Sequence, residues 1–596
     1  MHYNTIHEPL TFEKKESFGN LDQFDQFDRI ILPPLTTEME SILNPLVPPT
    51  SGLRMEIYDL KDEKTLFMPI SKQFLFLRAF RAISEVAKEE IQKERPGVLL
   101  VSDDRPSSSY LLEYFAKILA YNNYQIYFQK PTYQNELERI KDDPFYSRMS
   151  TPYASASVKL FDEVDLVIVL TASHNGIVWN GIKFYIKRPM PIAGRVMKAV
   201  SEKSISYSEI LLKNDFQVGY LDANAKNNEY ILNIVQNMID ISILKGKKVL
   251  LWSYLGTAPE LQDLFNLVGM EVVLVNEEME PPNPTVNIQE AKLKEIMIKN
   301  NTKAGILLDA DRDRIVFAVL DNSTHEIEIL QPNSLYTAMH NILTSEFKLP
   351  LINVRTIPSD PRADSKSLMT FTTGVGYKHL GIVLYAALNE SIDPTVFQTA
   401  ILYRKTDEGY KKINKVEEIQ QILATSLKDN ISRLIFVLWE ESGGHTFNII
   451  EFYHSENKTT LNAKYPPIGD KYPAEALLIL IALIEKGYLL KNYLDLSIGG
   501  TRSMIKADDK LKLQIVEHFS SKDGAIYNVN GQSFEIGNFS EVNGRIAIIY
   551  LRNNTTEIYF RPSGTGPGVR IYIFGPQESI EKLLQQTIKK INKELN

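Results

Sequence analysis

The sequence predicts a multidomain α/β fold: three α/β domains with mixed, mostly parallel sheets, followed by a C-terminal α+β domain. Three observations predict it. The chain has 596 residues, too many for one core when domains run to ~100–200 residues. Apolar strands and helical runs alternate, and the rhythm restarts at Lys247 and again near Leu351, as it does in parallel sheets with helices on their faces. Beyond about Asp495 the alternation gives way to clustered strands and one terminal helix, which is α+β grammar.

Composition sets the limits. Apolar residues make up 44% and charged residues 23%, with Gly and Pro at 29 each, the balance of a globular protein that is neither fibrous nor disordered. No cysteine is present, which excludes disulfides, thiolate nucleophiles and Cys-ligated metal and suits a reducing compartment. A metal here needs O or N ligands. Lys plus Arg (66) against Asp plus Glu (74) leaves a net charge of −8, so no global basic field holds nucleic acid or anionic lipid. The longest apolar run, Ala476 to Ile484, is far short of the ~20 residues of a membrane span and predicts a buried helix. The first residues carry no basic and apolar export pattern, so the expected location is the cytoplasm.

Taken in order, residues 1–45 form an N-terminal extension in which Phe24 and Phe27, three apart, are expected on one helix face. Prolines 45, 48 and 49 mark a linker. The first α/β domain, 46–228, has a helix from Phe74 to Ile91, stopped by Arg95-Pro96-Gly97, then a strand Val98–Val101. A helix near Tyr110–Ala120 and strands near Gln125–Phe128 and at Leu166–Leu170 follow. The second, 229–348, has strands at VLLW, Glu271–Val275 and Ala304–Leu308, with helices around Pro259–Val268 and from Gln289. The third, 349–494, runs from Leu351 through Leu434–Leu438 to a helix near Pro473–Lys486. The α+β domain, 495–596, has strands at Ile546–Leu551, Glu557–Phe560 and Arg570–Ile573.

Ligands of open parallel sheets bind beyond the carboxyl ends of the strands, which directs attention to four polar clusters. TASHNG, residues 171–176, follows VDLVIVL and puts Ser173 on a tight turn, as a nucleophile or as a local turn former. No G-x-S-x-G elbow surrounds it. DADRDR, residues 309–314, follows AGILL. Its alternating carboxylates, Asp309, Asp311 and Asp313, can converge on a hard cation such as Mg²⁺, or form a charged turn with internal ion pairs. An EF-hand fails, with Arg314 at the sixth position and Leu320 at the twelfth. WEESGGH, residues 439–445, offers Glu440 and Ser442 to sugar hydroxyls or is an ordinary loop. RPSGTGPGVR, residues 561–570, frames a Gly/Ser/Thr loop with Arg561 and Arg570, fit for a phosphate or for a plain hairpin. It is no Walker loop. A group-carrying serine, a cation site, a polyol loop and a phosphate cradle together point to phosphoryl transfer on a sugar.

In this order, one per domain, the four clusters resemble the α-D-phosphohexomutase superfamily over roughly residues 48–596. The resemblance implies four domains around a central cleft. It implies that Ser173 is the phosphoserine and, with Asp309, Asp311 and Asp313, a ligand of Mg²⁺. Glu440 and Ser442 match the sugar-recognition loop, and Arg561, Ser563, Gly564, Thr565 and Arg570 the loop for the non-reacting phosphate. PTSGLR, residues 49–54, resembles the signature T-S-G-x-R and would put Arg54 near the phosphoserine. Asp103, Arg105, Ser107 and Ser108 resemble a further first-domain pattern, and FTTGVGYKHL, residues 371–380, the loop that would bring Lys378 to the site. Gly176 stands where the family usually has proline.

The implied chemistry is a mutase that passes a phosphoryl group from Ser173 to a hexose phosphate and takes the other one back, with Arg314 stabilising the transferred charge. Glucose 1,6-bisphosphate is the expected intermediate and activator. Lys378, Lys183, His174 and His379 are candidate general bases, Lys378 preferred. Glucose phosphate is the first expected substrate; mannose, pentose and hexosamine phosphates are alternatives. The expected partners are small sugar phosphates, with no nucleic acid and no membrane, for a monomer or homodimer whose last domain closes as a lid. Two other readings stay open: a haloacid-dehalogenase-type phosphatase with Asp309 as nucleophile, and a catalytically silent sugar-phosphate-binding protein.

Overall fold

Strands Gly97–Ser102 (GVLLVS) and Leu166–Leu170 (LVIVL) are apolar on both faces and fully buried, as strands covered by helices on both sides must be. They lie at the centre of a six-stranded sheet in the order Val218–Leu221, Gln125–Gln129, Gly97–Ser102, Leu166–Leu170, Trp179–Ile186, Leu53–Glu56. The first four are parallel and the last two antiparallel. The computed structural model describes residues 3–18, 24–45, 52–321, 323–426, 432–455, 458–562 and 568–595. These divide into two compact units: Met1–Gln331 with Ser442–Asn448 and Tyr465–Gly487, and Pro332–Glu441 with Ile449–Lys464 and Tyr488–Asn596.

The first unit also holds a five-stranded sheet, Glu271–Val275, Lys248–Ser253, Ala304–Leu308, Ile315–Asp321, Glu326–Leu330, parallel for three strands and antiparallel for two. Its helix Ala474–Glu485 is the predicted apolar one and is buried along its length except at the last residue. Buried Glu475 accepts the Phe447 N–H at 2.8 Å, and Glu485 pairs with Lys247 at 3.2 Å. No helix among the described residues is long and apolar enough to cross a membrane.

The second unit has a seven-stranded sheet, Gly409–Lys412, Leu402–Thr406, Met369–Thr373, Leu351–Thr356, Arg433–Trp439, His445–Ser455, Lys458–Ala463. The first residues of His445–Ser455 group with the first unit. Met369–Thr373, Leu351–Thr356 and Arg433–Trp439 are parallel. A six-stranded antiparallel sheet, Ile498–Ile505, Val569–Pro576, Glu557–Pro562, Ile546–Arg552, Gln532–Ser540, Ile526–Val529, carries helices Asp509–Ser520 and Ile580–Leu595. Buried Ile357 and Tyr403 from the one sheet share a core with Phe539, Tyr559 and Phe574 from the other. The multidomain α/β class and the α+β ending are as predicted.

The N-terminal segment differs from its prediction. Phe24–Ile31 is a strand, antiparallel to Glu13–Phe18 and to Glu209–Leu212. A strand turns successive residues to opposite faces, so a spacing of three does not repeat a face as it does on a helix. The segment FDQFDRII alternates closely enough for either period, and pairing with Glu209–Leu212 decides. The expected linker residues Pro48 and Pro49 lie outside the described residues.

Adjacent isoleucines on this strand differ sharply in burial: Ile30 is 1% exposed in the main core of the unit and Ile31 is 48% exposed. Ile30→Ala is therefore expected to destabilise the first unit by about 2–5 kcal/mol, and Ile31→Ala to stay within about 0.5 kcal/mol. Hydrogen exchange of Glu209–Leu212 in the two variants checks this; equal effects would contradict the packing.

Candidate active site

Thr171 to Gly176 leaves the buried end of Leu166–Leu170 and turns sharply, with Ser173 at φ +54°. This left-handed conformation is uncommon for a residue other than glycine, so the turn needs external support. Arg105 supplies it. Its fully buried guanidinium donates Nη2 to the carbonyls of Ser173 (2.6 Å) and Asn175 (2.7 Å), and Nη1 to those of Gly176 (2.6 Å) and Trp179 (3.0 Å). Nε donates to Asp103 Oδ2 at 3.0 Å. That oxygen also accepts from Thr171 Oγ1 at 2.6 Å, while Thr171 Oγ1 accepts the Ser173 N–H at 2.8 Å. Asn180 Nδ2 donates to Ser107 Oγ at 2.6 Å.

Gly176 packs against Glu280, in the segment that follows strand Glu271–Val275. A Cβ there would lie 2.4 Å from Glu280 Oε1, and the Glu280 carboxylate accepts the Ile177 N–H at 3.2 Å. At Gly52, with φ +85°, a Cβ would come within 1.9 Å of the Ile182 carbonyl. Glycine at this point lets Leu53–Glu56 pair with Trp179–Ile186, which sets Arg54 opposite Gly181.

The acidic loop leaves Ala304–Leu308 in the same unit. Asp309 Oδ1 accepts the backbone N–H groups of Asp313 (3.1 Å) and Arg314 (3.2 Å). Asp311 Oδ2 accepts from Lys183 Nζ (2.5 Å) and Thr151 Oγ1 (2.8 Å), and Asp313 Oδ2 from Lys183 Nζ (3.1 Å) and Lys471 Nζ (3.4 Å). Each carboxylate thus has one oxygen committed. The other, Asp309 Oδ2, Asp311 Oδ1 and Asp313 Oδ1, is buried and accepts no hydrogen bond. One oxygen from each residue lies within 4.8 Å of the others. Three converging, buried carboxylates with orphaned oxygens fit a hard divalent cation with oxygen ligands, Mg²⁺ in particular.

Charge around the trio is uneven. Burial and the two neighbouring aspartates push Asp309 well above the usual carboxylate range. Burial is the largest influence on Asp311 and Asp313 and opposes their ionisation, as does Asp313 for Asp311, but Lys183 with Thr151 at Asp311, and Lys183 with Lys471 and Arg314 at Asp313, together lower both. Burial would discharge Lys183, yet Asp311 and Asp313 raise its pKa. Burial lowers Arg54, as does nearby Arg314.

Arg314 links this loop to the serine. Its Nε lies 3.6 Å from Asp313 Oδ1 and its Nη1 2.7 Å from His174 Nδ1, which is 3.4 Å from Ser173 Oγ. Burial, Arg314 and Arg54 depress the His174 pKa to about 2. Gly443, beside Ser442 and at φ +110°, packs on this point: a Cβ would lie 3.3 Å from Arg314 Cα and 3.2 Å from Ile315 N.

The second unit holds the remaining predicted residues. Lys378 is the second residue of helix Tyr377–Ala387, and burial lowers its pKa against the opposing field of Glu541. Buried His379 is driven well below its usual range by burial, then by Lys378 and Arg561. Glu440 is buried, and its neighbour Glu441 accepts from Thr356 Oγ1 (3.2 Å) and Tyr572 OH (3.3 Å). Arg561 and the exposed Arg570 are cross-strand partners. Ser563, Gly564 and Thr565 lie outside the described residues.

The first unit therefore gathers Ser173, His174, Lys183, Arg54, Arg314 and the three aspartates, and it holds Ser442; the second holds Lys378, Glu440, Arg561 and Arg570. Sequence reasoning missed Thr151, Lys471, Glu280 and Asp470. Buried Asp470, hydrogen-bonded to Tyr185, is raised to about 6 by burial. Lys471 belongs to IGDKYP, far along the chain and without a pattern that signals a site.

Residues 50–210 match the family model described as phosphoglucomutase/phosphomannomutase, alpha/beta/alpha domain I. A phosphoglucosamine mutase of Thermoanaerobacter sp. (strain X514) is 26% identical over 176 residues, 28% of this chain and 38% of that protein. One from Helicobacter acinonychis is 27% identical over 30% of this chain and 43% of its own length. The chain thus matches less than half the length of these curated relatives. Among solved structures, the open form of pp63/parafusin, a phosphoglucomutase from Paramecium, aligns over 95% of this chain and 97% of its own with a TM-score of 0.61 and 16% identity. A phosphoglucomutase/phosphomannomutase family protein from Burkholderia thailandensis aligns over 94% of this chain and 99% of its own with a TM-score of 0.56 and 15% identity.

Two outcomes follow from the site geometry. Because the His174 pKa is depressed, its ring is expected to stay neutral from pH 8 down to pH 5; a proton NMR titration midpoint near 6.5 would contradict its burial against Arg314. Arg105→Lys leaves at most three donors where five are used, so hydrogen exchange across 172–179 is expected to rise at least tenfold while that of Gly97–Ser102 holds.

Proposed function

We propose that this chain, a member of the α-D-phosphohexomutase superfamily, is a phosphosugar mutase, acting first on glucose 1-phosphate and glucose 6-phosphate. The observation that carries this reading is the chain of contacts from Ser173 through His174 and Arg314 to three buried carboxylates with orphaned oxygens. In this reading domains 46–228, 229–348, 349–494 and 495–596 carry the serine, acidic, sugar and phosphate loops.

In the first half-reaction the bond between Ser173 Oγ and phosphorus breaks, and a sugar hydroxyl oxygen forms the new P–O bond. The hydroxyl proton passes to a base, and the serine oxygen ends protonated. The second half-reaction runs in reverse from the other phosphate of a bound hexose bisphosphate, so the cycle returns phosphoserine and consumes nothing. A divalent cation held by Asp309, Asp311, Asp313 and the phosphoserine supplies neutralisation of charge on the transferring group when bound. Arg314, beside His174, adds a cation at the serine. Arg105 orients the serine carbonyls and keeps Oγ in place.

Lys378 is our choice of base. Burial favours its neutral amine, whereas Lys183 is held charged by two aspartates and His174 binds a proton too weakly. Arg561 and Arg570, with Ser563, Gly564 and Thr565, would hold the non-reacting phosphate, and Glu440 and Ser442 the sugar hydroxyls. Remote binding of this kind aligns the reacting hydroxyl. A second substrate reading, glucosamine phosphate, is favoured by the curated relatives that match the first domain.

The test is a coupled assay with Mg²⁺ and a trace of glucose 1,6-bisphosphate on the 1-phosphates of glucose, mannose and glucosamine. Ser173→Ala is expected to reduce turnover to background and to abolish labelling by ³²P-bisphosphate. Arg561→Ala is expected to lower kcat/KM by about 10–100-fold, the loss of a charge-assisted hydrogen bond. Release of inorganic phosphate with Ser173→Ala fully active would sink the mutase in favour of a phosphatase.

A further inference from the structure

Arg312 sits between two of the three aspartates, and the mutase reading gives it no part. It is 3% exposed and has φ +59°, a conformation that glycine adopts freely and arginine does not. Its side chain leaves the loop altogether. Nε donates to Glu260 Oε1 at 2.6 Å and Nη1 to Asp104 Oδ2 at 3.2 Å.

The two partners come from segments that follow strands of different sheets. Glu260, 1% exposed, is in the first turn of helix Pro259–Leu267, which follows strand Lys248–Ser253. Asp104 follows Gly97–Ser102 and is next in sequence to Asp103, the residue that anchors Arg105. Asp104 is itself confined: Arg148 Nε lies 3.9 Å from its Oδ1, and a Cβ on Gly256 would lie 2.0 Å from its Oδ2. Arg312 is therefore fixed at its far end by two elements that do not belong to the acidic loop.

We propose that Arg312 is a positioning residue for the acidic loop: paired with Glu260 and Asp104, it holds Asp311 and Asp313 at the spacing that takes a divalent cation. This rests on the reading of Asp309, Asp311 and Asp313 as a cation site. Three carboxylates within five residues of chain repel one another, and that repulsion acts to separate them. A residue bonded covalently to both Asp311 and Asp313 and tied outward restrains both backbones at once. A buried, two-point ion pair resists that motion where a solvated lysine would not.

The experiment is Mn²⁺ binding to the full-length protein by electron paramagnetic resonance, with thermal melting alongside. Arg312→Ala leaves Glu260 buried without its partner and can fail to fold. The double variant Arg312→Gly/Glu260→Gln instead removes both charges and places glycine at the left-handed position. It is expected to melt within a few degrees of the parent and bind Mn²⁺ at least roughly tenfold more weakly, the size of effect seen when supporting partners of metal ligands are lost. Asp104→Asn, which keeps the Arg312–Glu260 pair, is expected to weaken binding several-fold, and Arg312→Lys to fall between parent and double variant. Mn²⁺ affinity within twofold of the parent in either folded variant, the double variant or Asp104→Asn, overturns the proposal. A folded parent that binds no Mn²⁺ overturns the cation reading, and the role of Arg312 with it.

Discussion

The candidate site depends first on one buried guanidinium. Arg105 carries five N–H donors, and all five are used: one on the Asp103 carboxylate and four on carbonyls of the serine turn. Those carbonyls point inward because the chain reverses over Ser173 in a left-handed conformation, and without a donor they would be buried and unsatisfied. Asp103 in turn compensates the charge of Arg105 and fixes Thr171, which takes the Ser173 N–H. Conformation, charge and hydrogen bonding at the serine are thus one closed arrangement.

The acidic loop presents the opposite problem, an excess of negative charge in a buried place. Lys183 divides its ammonium between Asp311 and Asp313, Lys471 adds to Asp313, and Arg314 stands near Asp309 and Asp313. These cations take one oxygen of Asp311 and of Asp313, while backbone N–H groups take one oxygen of Asp309. The result is three close carboxylates, each with one buried oxygen that accepts no hydrogen bond, for which a divalent cation is the natural partner. Lys183 is therefore better understood as part of the charge balance than as a proton carrier.

Much of this was legible in the sequence, and the reasons differ by part. Strands such as LVIVL announce themselves because burial on both faces demands unbroken apolar runs, and polar clusters at their ends then mark the ligand side of each sheet. Ser173, Asp309, Asp311, Asp313 and Arg105 were found in this way or by motif. Phe24–Ile31 was misread because an eight-residue run of mixed polarity satisfies both periods until its partner strand, nearly two hundred residues on, is known. Lys471 and Thr151 escaped because each acts through a single side chain delivered by a distant segment, and a lone lysine or threonine carries no spacing to detect. Glu280 escaped for the same reason, although Gly176 was noted: the small residue makes sense only beside the carboxylate that fills its place.

The two loops also share a foundation. Asp103 and Asp104 are neighbours in sequence, yet the first organises the serine turn through Arg105 and Thr171 while the second reaches Arg312 in the acidic loop. The dipeptide lies just beyond strand Gly97–Ser102, and its two side chains serve two loops that leave different sheets. Phosphoryl transfer tolerates little misplacement between the reacting oxygen and the groups that stabilise its charge. Tying both loops to the adjacent residues that directly follow one buried strand couples their positions through a single peptide link and a few short contacts. A displacement of the strand end would then carry the serine and the carboxylates together and leave their relative placement intact.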